Sequence, residues 1–153
     1  MYKRQYHTRS PKDVPYPHVP DLVEMARQSE VMIVITPGGP ATEKLVSEEV
    51  MAALGPEGVL INVSRGSVVD EAALVRVLQD GRLGAAGLDV FVDEPKVPEA
   101  LRGMSQVVLT PHVASATHET RQAMGDLVCD NLSQFLKTGS LVSCVPELKH
   151  LLP

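Results

Sequence analysis

The sequence predicts an α/β fold in which helices cover both faces of a parallel β-sheet, the doubly wound arrangement. Short apolar runs typical of buried strands, such as Val59–Ile61, alternate along the 153 residues with segments whose apolar residues keep helical spacing. Strands joined through helices run parallel to one another in such folds. Apolar residues make up 44% of the chain and charged residues 22%, which suits a globular domain with a core.

The first third of the chain contains one strand end, one short helix and one clear strand. Met1–Gln5 fits no pattern, and we expect a non-native or disordered start there. Tyr6–Ser10 reads as the end of a strand, and the four prolines between Pro11 and Pro20 require an extended or looped chain. Asp21–Ser29 then predicts a helix, and Val31–Ile35 predicts a buried strand that stops at a Pro- and Gly-rich turn.

The remaining two thirds continue the alternation of strand and helix. Apolar spacing and Gly or Pro stop signals place the elements. The predicted helices are Ser47–Leu54, Asp70–Asp80 and Thr117–Lys137, with a helical turn near Leu101; the predicted strands are Val59–Ile61 (buried on both faces), Ala85–Phe91 and Gln106–Thr110, with a weak strand signal at Leu141–Val145.

Charge and cysteine content exclude several classes of protein. The formal net charge of -5 leaves no basic surface for nucleic acid, and no apolar run approaches the ~20 residues of a membrane helix. The chain shows no signal-peptide pattern, so we expect a cytoplasmic protein that binds neither nucleic acid nor membrane. Cys129 and Cys144 are expected to be separate buried thiols, and no ligand spacing predicts a metal site.

Three chemically active side chains stand where successive strands are predicted to end. Arg65, Glu94 and His112 each follow a strand, and ligands of open parallel sheets bind beyond these carboxyl ends. Taken singly, each would more simply be a packed or surface residue. Together they suit reduction of a 2-oxo acid: a carboxylate favours the charged imidazolium, the histidine donates a proton, and the arginine holds an anion and polarises a carbonyl.

Four segments that occur in order resemble the D-isomer-specific 2-hydroxyacid dehydrogenases, nearest to the glyoxylate/hydroxypyruvate reductases. The resemblance spans roughly Tyr6 to Pro146. The matching segments are TPGGPAT (Thr36–Thr42), INVSRGSVVDEAAL (Ile61–Leu74), GAAGLDVFVDEP (Gly84–Pro95) and LTPHVASATHETR (Leu109–Arg121).

This resemblance implies a Rossmann-type domain and a role for each matching residue. It assigns Arg65 to the substrate carboxylate and carbonyl, and it pairs Glu94 with His112, which acts as the acid and base. It places Asp89 against the nicotinamide carboxamide. The further cofactor-binding residues that it implies are Thr36, Pro37, Val63 and Ser115.

The choice of cofactor depends on the residues at the end of the first predicted strand. An acid there binds the ribose 2′-hydroxyl of NAD, whereas an arginine accommodates the 2′-phosphate of NADP. This chain has Arg9 and Ser10 there, and its first acid is Asp13. We therefore expect NADP in preference to NAD, and both remain open.

A glycine pattern that dinucleotide-binding domains need is not in the sequence. No G-x-G-x-x-G occurs, and the resemblance implies that this loop, the first strand and most of a substrate domain lie upstream of Tyr6. We therefore expect an N-terminally truncated fragment. It would consist of a partial NAD(P)-binding domain at 6–116 without its first, central strand, and a long helix with a C-terminal return at 117–153. Two half-sheets with open apolar edges would be poorly stable and inactive alone.

The function expected is reduction of glyoxylate or hydroxypyruvate to the D-2-hydroxy acid by hydride transfer from NAD(P)H. Two alternatives stay open: a related dehydrogenase with a larger 2-oxo acid substrate, and a non-catalytic, NAD-binding relative of the corepressor type. The resemblance also implies that the parent enzyme is a homodimer.

Overall fold

A four-stranded parallel sheet forms the centre of the first of two compact units in the computed structural model. The structure describes residues 4–145, and the division between the units follows His112. The strands lie side by side in chain order, which confirms the predicted α/β fold with a parallel sheet. The strands are β1 (Val31–Val34), β2 (Val59–Asn62), β3 (Ala85–Leu88) and β4 (Val107–Leu109); the helices are α1 (Leu22–Arg27), α2 (Glu48–Leu54), α3 (Glu71–Gln79), α4 (Glu99–Arg102) and α5 (His118–Thr138).

Side-chain caps begin four of the five helices. Asp21, Ser47, Asp70 and Thr117 precede α1, α2, α3 and α5, and each accepts a hydrogen bond from the backbone N–H three residues further on. Such a cap satisfies one of the N–H groups that a helix start leaves without a partner. Gly139, with φ 73°, ends α5 in the left-handed region. These helices begin and end within a few residues of the predicted bounds.

Burial alternates along the strands. In β1, Met32 and Val34 are buried in one hydrophobic core with residues of α1, α2 and α3, whereas Val31 and Ile33 are 50% and 59% exposed. In β2, Leu60 is fully buried and Ile61 only partly. The prediction that β2 is buried on both faces was therefore wrong, because only alternate side chains along the strand reach this core.

The strand predicted at Tyr6 stands apart from the sheet. Tyr6 forms an isolated parallel bridge with His18, and among the described residues no strand pairs with the outer edge of β1. The expected two separate half-sheets are not seen, because β1 pairs directly with β2 and the four strands form one continuous sheet. Gln5, part of the predicted non-native start, contacts the end of α1, because its side-chain amide donates to Met25 O and Ser29 Oγ. Residues 1–3 of that predicted start lie outside the described residues.

Two predicted strands are shorter than expected or absent. β3 ends at Leu88 rather than Phe91, because the chain turns there into the loop that carries Glu94. Residues 141–145 form bends and pair with no strand, and the rest of the predicted C-terminal return lies outside the described residues. Both cysteines are free, and Cys129 is exposed rather than buried.

The second unit consists mainly of α5. No described residue of this helix is buried, and its exposed apolar side chains include Met124, Val128 and Phe135. Within residues 4–145, no helix is both long and apolar enough to cross a membrane.

Candidate active site

Loops that follow the carboxyl ends of the sheet strands enclose one cleft. Its volume is about 1040 Å³, close to the upper limit of the range that small-molecule sites occupy. All three predicted catalytic residues line it. The full lining is Ile35, Thr36, Pro37, Gly38, Gly39, Val63, Ser64, Arg65, Gly66, Ser67, Phe91, Val92, Glu94 and His112.

A buried asparagine shapes the turn that carries Arg65. Asn62, the last residue of β2, is 1% exposed, and its Oδ1 accepts from the backbone N–H and the hydroxyl of Ser64 at 3.0 and 2.8 Å. Its Nδ2 donates to the carbonyl oxygen of Arg65 at 3.1 Å. Because a buried amide needs all of these partners, the turn has little freedom and Arg65 leaves the sheet at a defined angle. Among residues 4–145, the guanidinium donates only to the carbonyl oxygen of Ser64.

Two glycines bring the loops close to one another. A Cβ at Gly66 would lie 2.0 Å from the carbonyl carbon of Phe91, so the Arg65 loop and the Phe91 loop touch backbone to backbone. A Cβ at Gly38 would lie 2.9 Å from Cγ of Arg65, so the stem of that side chain rests on the glycine. Any larger residue at either position must displace the arginine or its loop.

His112 and Glu94 form a hydrogen-bonded pair at the edge of the cleft. The distance from His112 Nδ1 to Glu94 Oε2 is 2.8 Å, and the other carboxylate oxygen accepts from the backbone N–H of Phe91 at 3.0 Å. A carboxylate can only accept, so Nδ1 carries the proton and Nε2 is the nitrogen that takes up or releases one. His112 has φ 54°, a left-handed conformation that a few residue types, histidine among them, adopt more often.

The surroundings of Glu94 lower the pKa of its carboxyl group. The largest cause is the hydrogen bond from His112, followed by the N–H of Phe91. Desolvation, which acts in the opposite direction, comes next, and the positive charges of His112 and Arg65 contribute least. The charge of Arg65 makes the smallest contribution to this lowering. The three predicted residues line the same cleft.

The lowered pKa of Glu94 predicts how the stability of the folded state changes with pH. Glu94 contributes stability above the pKa of an unfolded carboxyl group, and this contribution is lost as the pH falls through its lower folded-state pKa. NMR titration of the Glu94 carboxyl carbon should give a midpoint below the ordinary 4.5. In His112→Asn the midpoint should rise, since the largest cause is removed; an unchanged midpoint would contradict the assignment.

The structure places the predicted cofactor residues in four different locations. Thr36, Pro37 and Val63 line the cleft. Asp89 is 4% exposed beside it, and its Oδ1 accepts from the hydroxyl of Thr110. Ser115 belongs to the second unit. Arg9 and Ser10, the remaining two, are exposed on the loop that follows the Tyr6–His18 bridge.

Several residues that shape the site were not predicted from the sequence. Asn62 could have been noticed, because a polar side chain at the buried end of an apolar run is unusual and needs partners. Thr110 stands directly before the predicted Pro111-His112 loop but gave no signal of its own. The contact between Gly66 and Phe91 joins residues 25 positions apart, and no local pattern indicates it.

A family model and several known proteins match most of this chain. Residues 1–114 match the family model described as D-isomer specific 2-hydroxyacid dehydrogenase, NAD binding domain. The glyoxylate/hydroxypyruvate reductase A of Arabidopsis thaliana is 48% identical over 141 residues, which cover 92% of this chain and 45% of the relative. The hydroxyphenylpyruvate reductase of Plectranthus scutellarioides is 52% identical over 128 residues, covering 83% and 41%.

A solved structure shares the fold at similar identity. It is the NADPH-dependent glyoxylate/hydroxypyruvate reductase of Sinorhizobium meliloti in complex with NADP and malonate, with a TM-score of 0.88 and 53% identity over 94% of this chain and 45% of that one. The present protein therefore spans about half the length of the relatives that it matches. It belongs to the D-isomer specific 2-hydroxyacid dehydrogenase family, and the part matched is the NAD binding domain.

The residues of the first unit fit two parts of a nicotinamide dinucleotide. The exposed apolar side chains of Ile35 and Val63 in the cleft suit the flat nicotinamide ring. Among residues 4–145 Arg9 has no carboxylate partner, so its charge is available to a phosphate. The third part, the pyrophosphate, is bound in such domains by a glycine-rich turn whose pattern this sequence does not contain.

Proposed function

We propose that this chain carries the catalytic residues of an NADPH-dependent reductase that converts glyoxylate or hydroxypyruvate to the D-2-hydroxy acid. One observation carries the proposal: a histidine bonded to a carboxylate at 2.8 Å lines the same cleft as an arginine that has no carboxylate partner among residues 4–145. A proton donor and an anion-binding group in one cleft suit the reduction of an anionic carbonyl compound. The names of the relatives above support this substrate class.

The roles of the residues follow from their geometry. Arg65 binds the substrate carboxylate and polarises the adjacent carbonyl, because its planar guanidinium can donate two parallel hydrogen bonds. Bound NADPH supplies the hydride to the carbonyl carbon. His112 releases the proton on Nε2 to the carbonyl oxygen, which completes the alcohol. Glu94 keeps Nδ1 protonated and stabilises the charged ring before the transfer.

NADP is the preferred cofactor in this proposal. The positive charge of Arg9 and the hydroxyl of Ser10 suit the 2′-phosphate, and no acid precedes Asp13 to bind a free 2′-hydroxyl. The proposal also includes a cytoplasmic location, a homodimer, and no binding of nucleic acid or membrane. The net charge of -5 supports the absence of nucleic-acid binding.

Two other functions differ in what they need from the site. A reductase of larger 2-oxo acids would use the same three catalytic residues and differ only in substrate. A non-catalytic dinucleotide-binding protein needs neither Glu94 nor His112. The hydrogen bond between these two side chains therefore favours a reductase.

The test measures NADPH oxidation with glyoxylate, hydroxypyruvate and phenylpyruvate. Two samples are compared: the 153-residue chain, and the chain joined to the part of the Sinorhizobium meliloti reductase that it does not match. We expect activity only in the second. In the joined protein, Arg65→Gln should raise the KM for glyoxylate about 10- to 100-fold, because the variant loses the charged hydrogen bonds to the substrate carboxylate.

Arg27→Gln is the matched control, since Arg27 is exposed on α1 and pairs with Glu24. It should leave the KM unchanged. Activity confined to phenylpyruvate would favour the larger substrate, and NADPH binding without any reduction would favour the non-catalytic alternative.

A further inference from the structure

The loop from Thr8 to Lys12, which carries Arg9 and Ser10, is held at its far end by the side chain of Tyr6. The Tyr6 hydroxyl accepts from the backbone N–H of Lys12 at 2.7 Å and donates to the carbonyl oxygen of the same residue at 3.0 Å. The backbone N–H and C=O of Lys12 are therefore both hydrogen-bonded to the Tyr6 hydroxyl. This double contact holds the Lys12 end of the loop.

The near end of the loop is held by His18. Its Nε2 lies 2.8 Å from the carbonyl oxygen of Thr8, and because a carbonyl only accepts, Nε2 carries the proton. The backbones of Tyr6 and His18 also form the parallel bridge, and their rings lie 5.2 Å apart. We call these two half-buried residues the Tyr6–His18 clamp. Within the loop, the hydroxyl of Thr8 donates to Ser10 O at 2.7 Å.

We propose that the Tyr6–His18 clamp determines the specificity for NADP over NAD by holding the Thr8–Lys12 loop ready for the 2′-phosphate. The inference rests on the cofactor choice proposed above. Arg9 and Ser10 are exposed. They can bind the same phosphate only if the backbone of the loop holds a single conformation. A loop that must become ordered on binding loses affinity, whereas one already closed does not.

The clamp acts on one cofactor only. NAD has no 2′-phosphate, so its binding does not depend on Arg9 and Ser10. Loosening the loop should therefore weaken NADP binding and leave NAD binding almost unchanged. Tyr6 and His18 are positioning residues in this scheme, because neither needs to touch the cofactor.

Tyr6→Phe tests the proposal, since it keeps the ring against His18 and removes only the hydroxyl. Dissociation constants for NADP⁺ and NAD⁺ are measured by titration of the joined protein described above, because this chain by itself has no glycine-rich pattern for the pyrophosphate. We expect NADP⁺ to bind about tenfold more weakly, as two neutral hydrogen bonds are lost, and NAD⁺ to change less than about twofold. Hydrogen exchange of the Lys12 amide should accelerate.

Tyr16→Phe is the matched control. Tyr16 is an exposed tyrosine of the same region whose hydroxyl, within the described part of the chain, accepts a hydrogen bond only from the Arg4 side chain. Both dissociation constants should therefore stay unchanged. If Tyr6→Phe does not fold, the comparison of His18→Gln, which keeps a donor, with His18→Leu, which does not, measures the same selectivity.

The outcomes separate the clamp from the proposed function. An unchanged ratio of the NADP⁺ and NAD⁺ constants in a folded Tyr6→Phe variant, or equal weakening of both, overturns the clamp alone. If the joined protein with wild-type residues binds NAD⁺ more tightly than NADP⁺, or binds neither, the cofactor assignment is overturned and the clamp with it. Selective weakening of NADP⁺ in Tyr6→Phe but not in Tyr16→Phe establishes the clamp.

Discussion

Replacing His112 by Asn is expected to lower kcat for glyoxylate reduction about 10²- to 10⁴-fold, the usual contribution of a general acid. Asn adopts the left-handed backbone of His112 (φ 54°) readily, so the variant should fold. It cannot release a proton near neutral pH, and its shorter side chain leaves Glu94 without its partner. The KM for glyoxylate should change little, because Arg65 remains. The measurement is steady-state kinetics on the joined protein described above.

A second histidine provides the control for this variant. His7 donates from Nδ1 to the carbonyl oxygen of Val19, in the region of the Tyr6–His18 bridge and outside the lining of the cleft. His7→Asn should leave kcat with saturating cofactor within about twofold of wild type. If His112→Asn kept most of the activity, another residue would have to supply the proton, and the catalytic assignment would fail.

Gly66→Ala is expected to destabilise the first unit by about 1–3 kcal/mol or more, the usual range for overpacking. The new methyl group would lie 2.0 Å from the backbone of Phe91, and backbone atoms cannot swing aside as a flexible side chain can. The Arg65 loop must therefore move away from the loop that carries Glu94. Urea unfolding measures the loss of stability, and the pKa of the Glu94 carboxyl should rise as the arginine retreats.

Gly103→Ala is the neutral comparison for this substitution. Gly103 follows α4 with an ordinary negative φ of -92°, and a Cβ there would meet no atom within 4 Å. Its effect on the free energy of unfolding should stay within about 0.5 kcal/mol. Equal stability of the two variants would mean that the contact between Gly66 and Phe91 relaxes at little cost.

Local signals were sufficient for the helices and for most strands. Caps such as Ser47 and Asp70, followed by apolar residues at helical spacing and a terminal glycine, describe a helix without reference to the rest of the chain. Strand bounds were less certain, because a strand ends where its neighbour ends. β3 therefore stops at Leu88, although the strand was predicted to continue to Phe91.

The candidate site, too, could be predicted only as far as local sequence signals allow. Arg65, Glu94 and His112 could be predicted because each follows an apolar run, and parallel strands bring such positions to one edge. The side chains that position them could not be predicted, since Asn62 is recognisable only when its buried partners are known. The contact of Gly66 with Phe91 likewise depends on how two loops meet.

By itself, the sequence determined the α/β class and the order of the elements, and it predicted the three residues of the candidate site, because these depend on apolar periodicity and on residue type. The tertiary structure decided what those residues can do together. The 2.8 Å bond between His112 and Glu94 joins residues 18 positions apart, and the Tyr6 hydroxyl closes a loop on Lys12. Such contacts depend on distances between chain segments that periodicity does not encode.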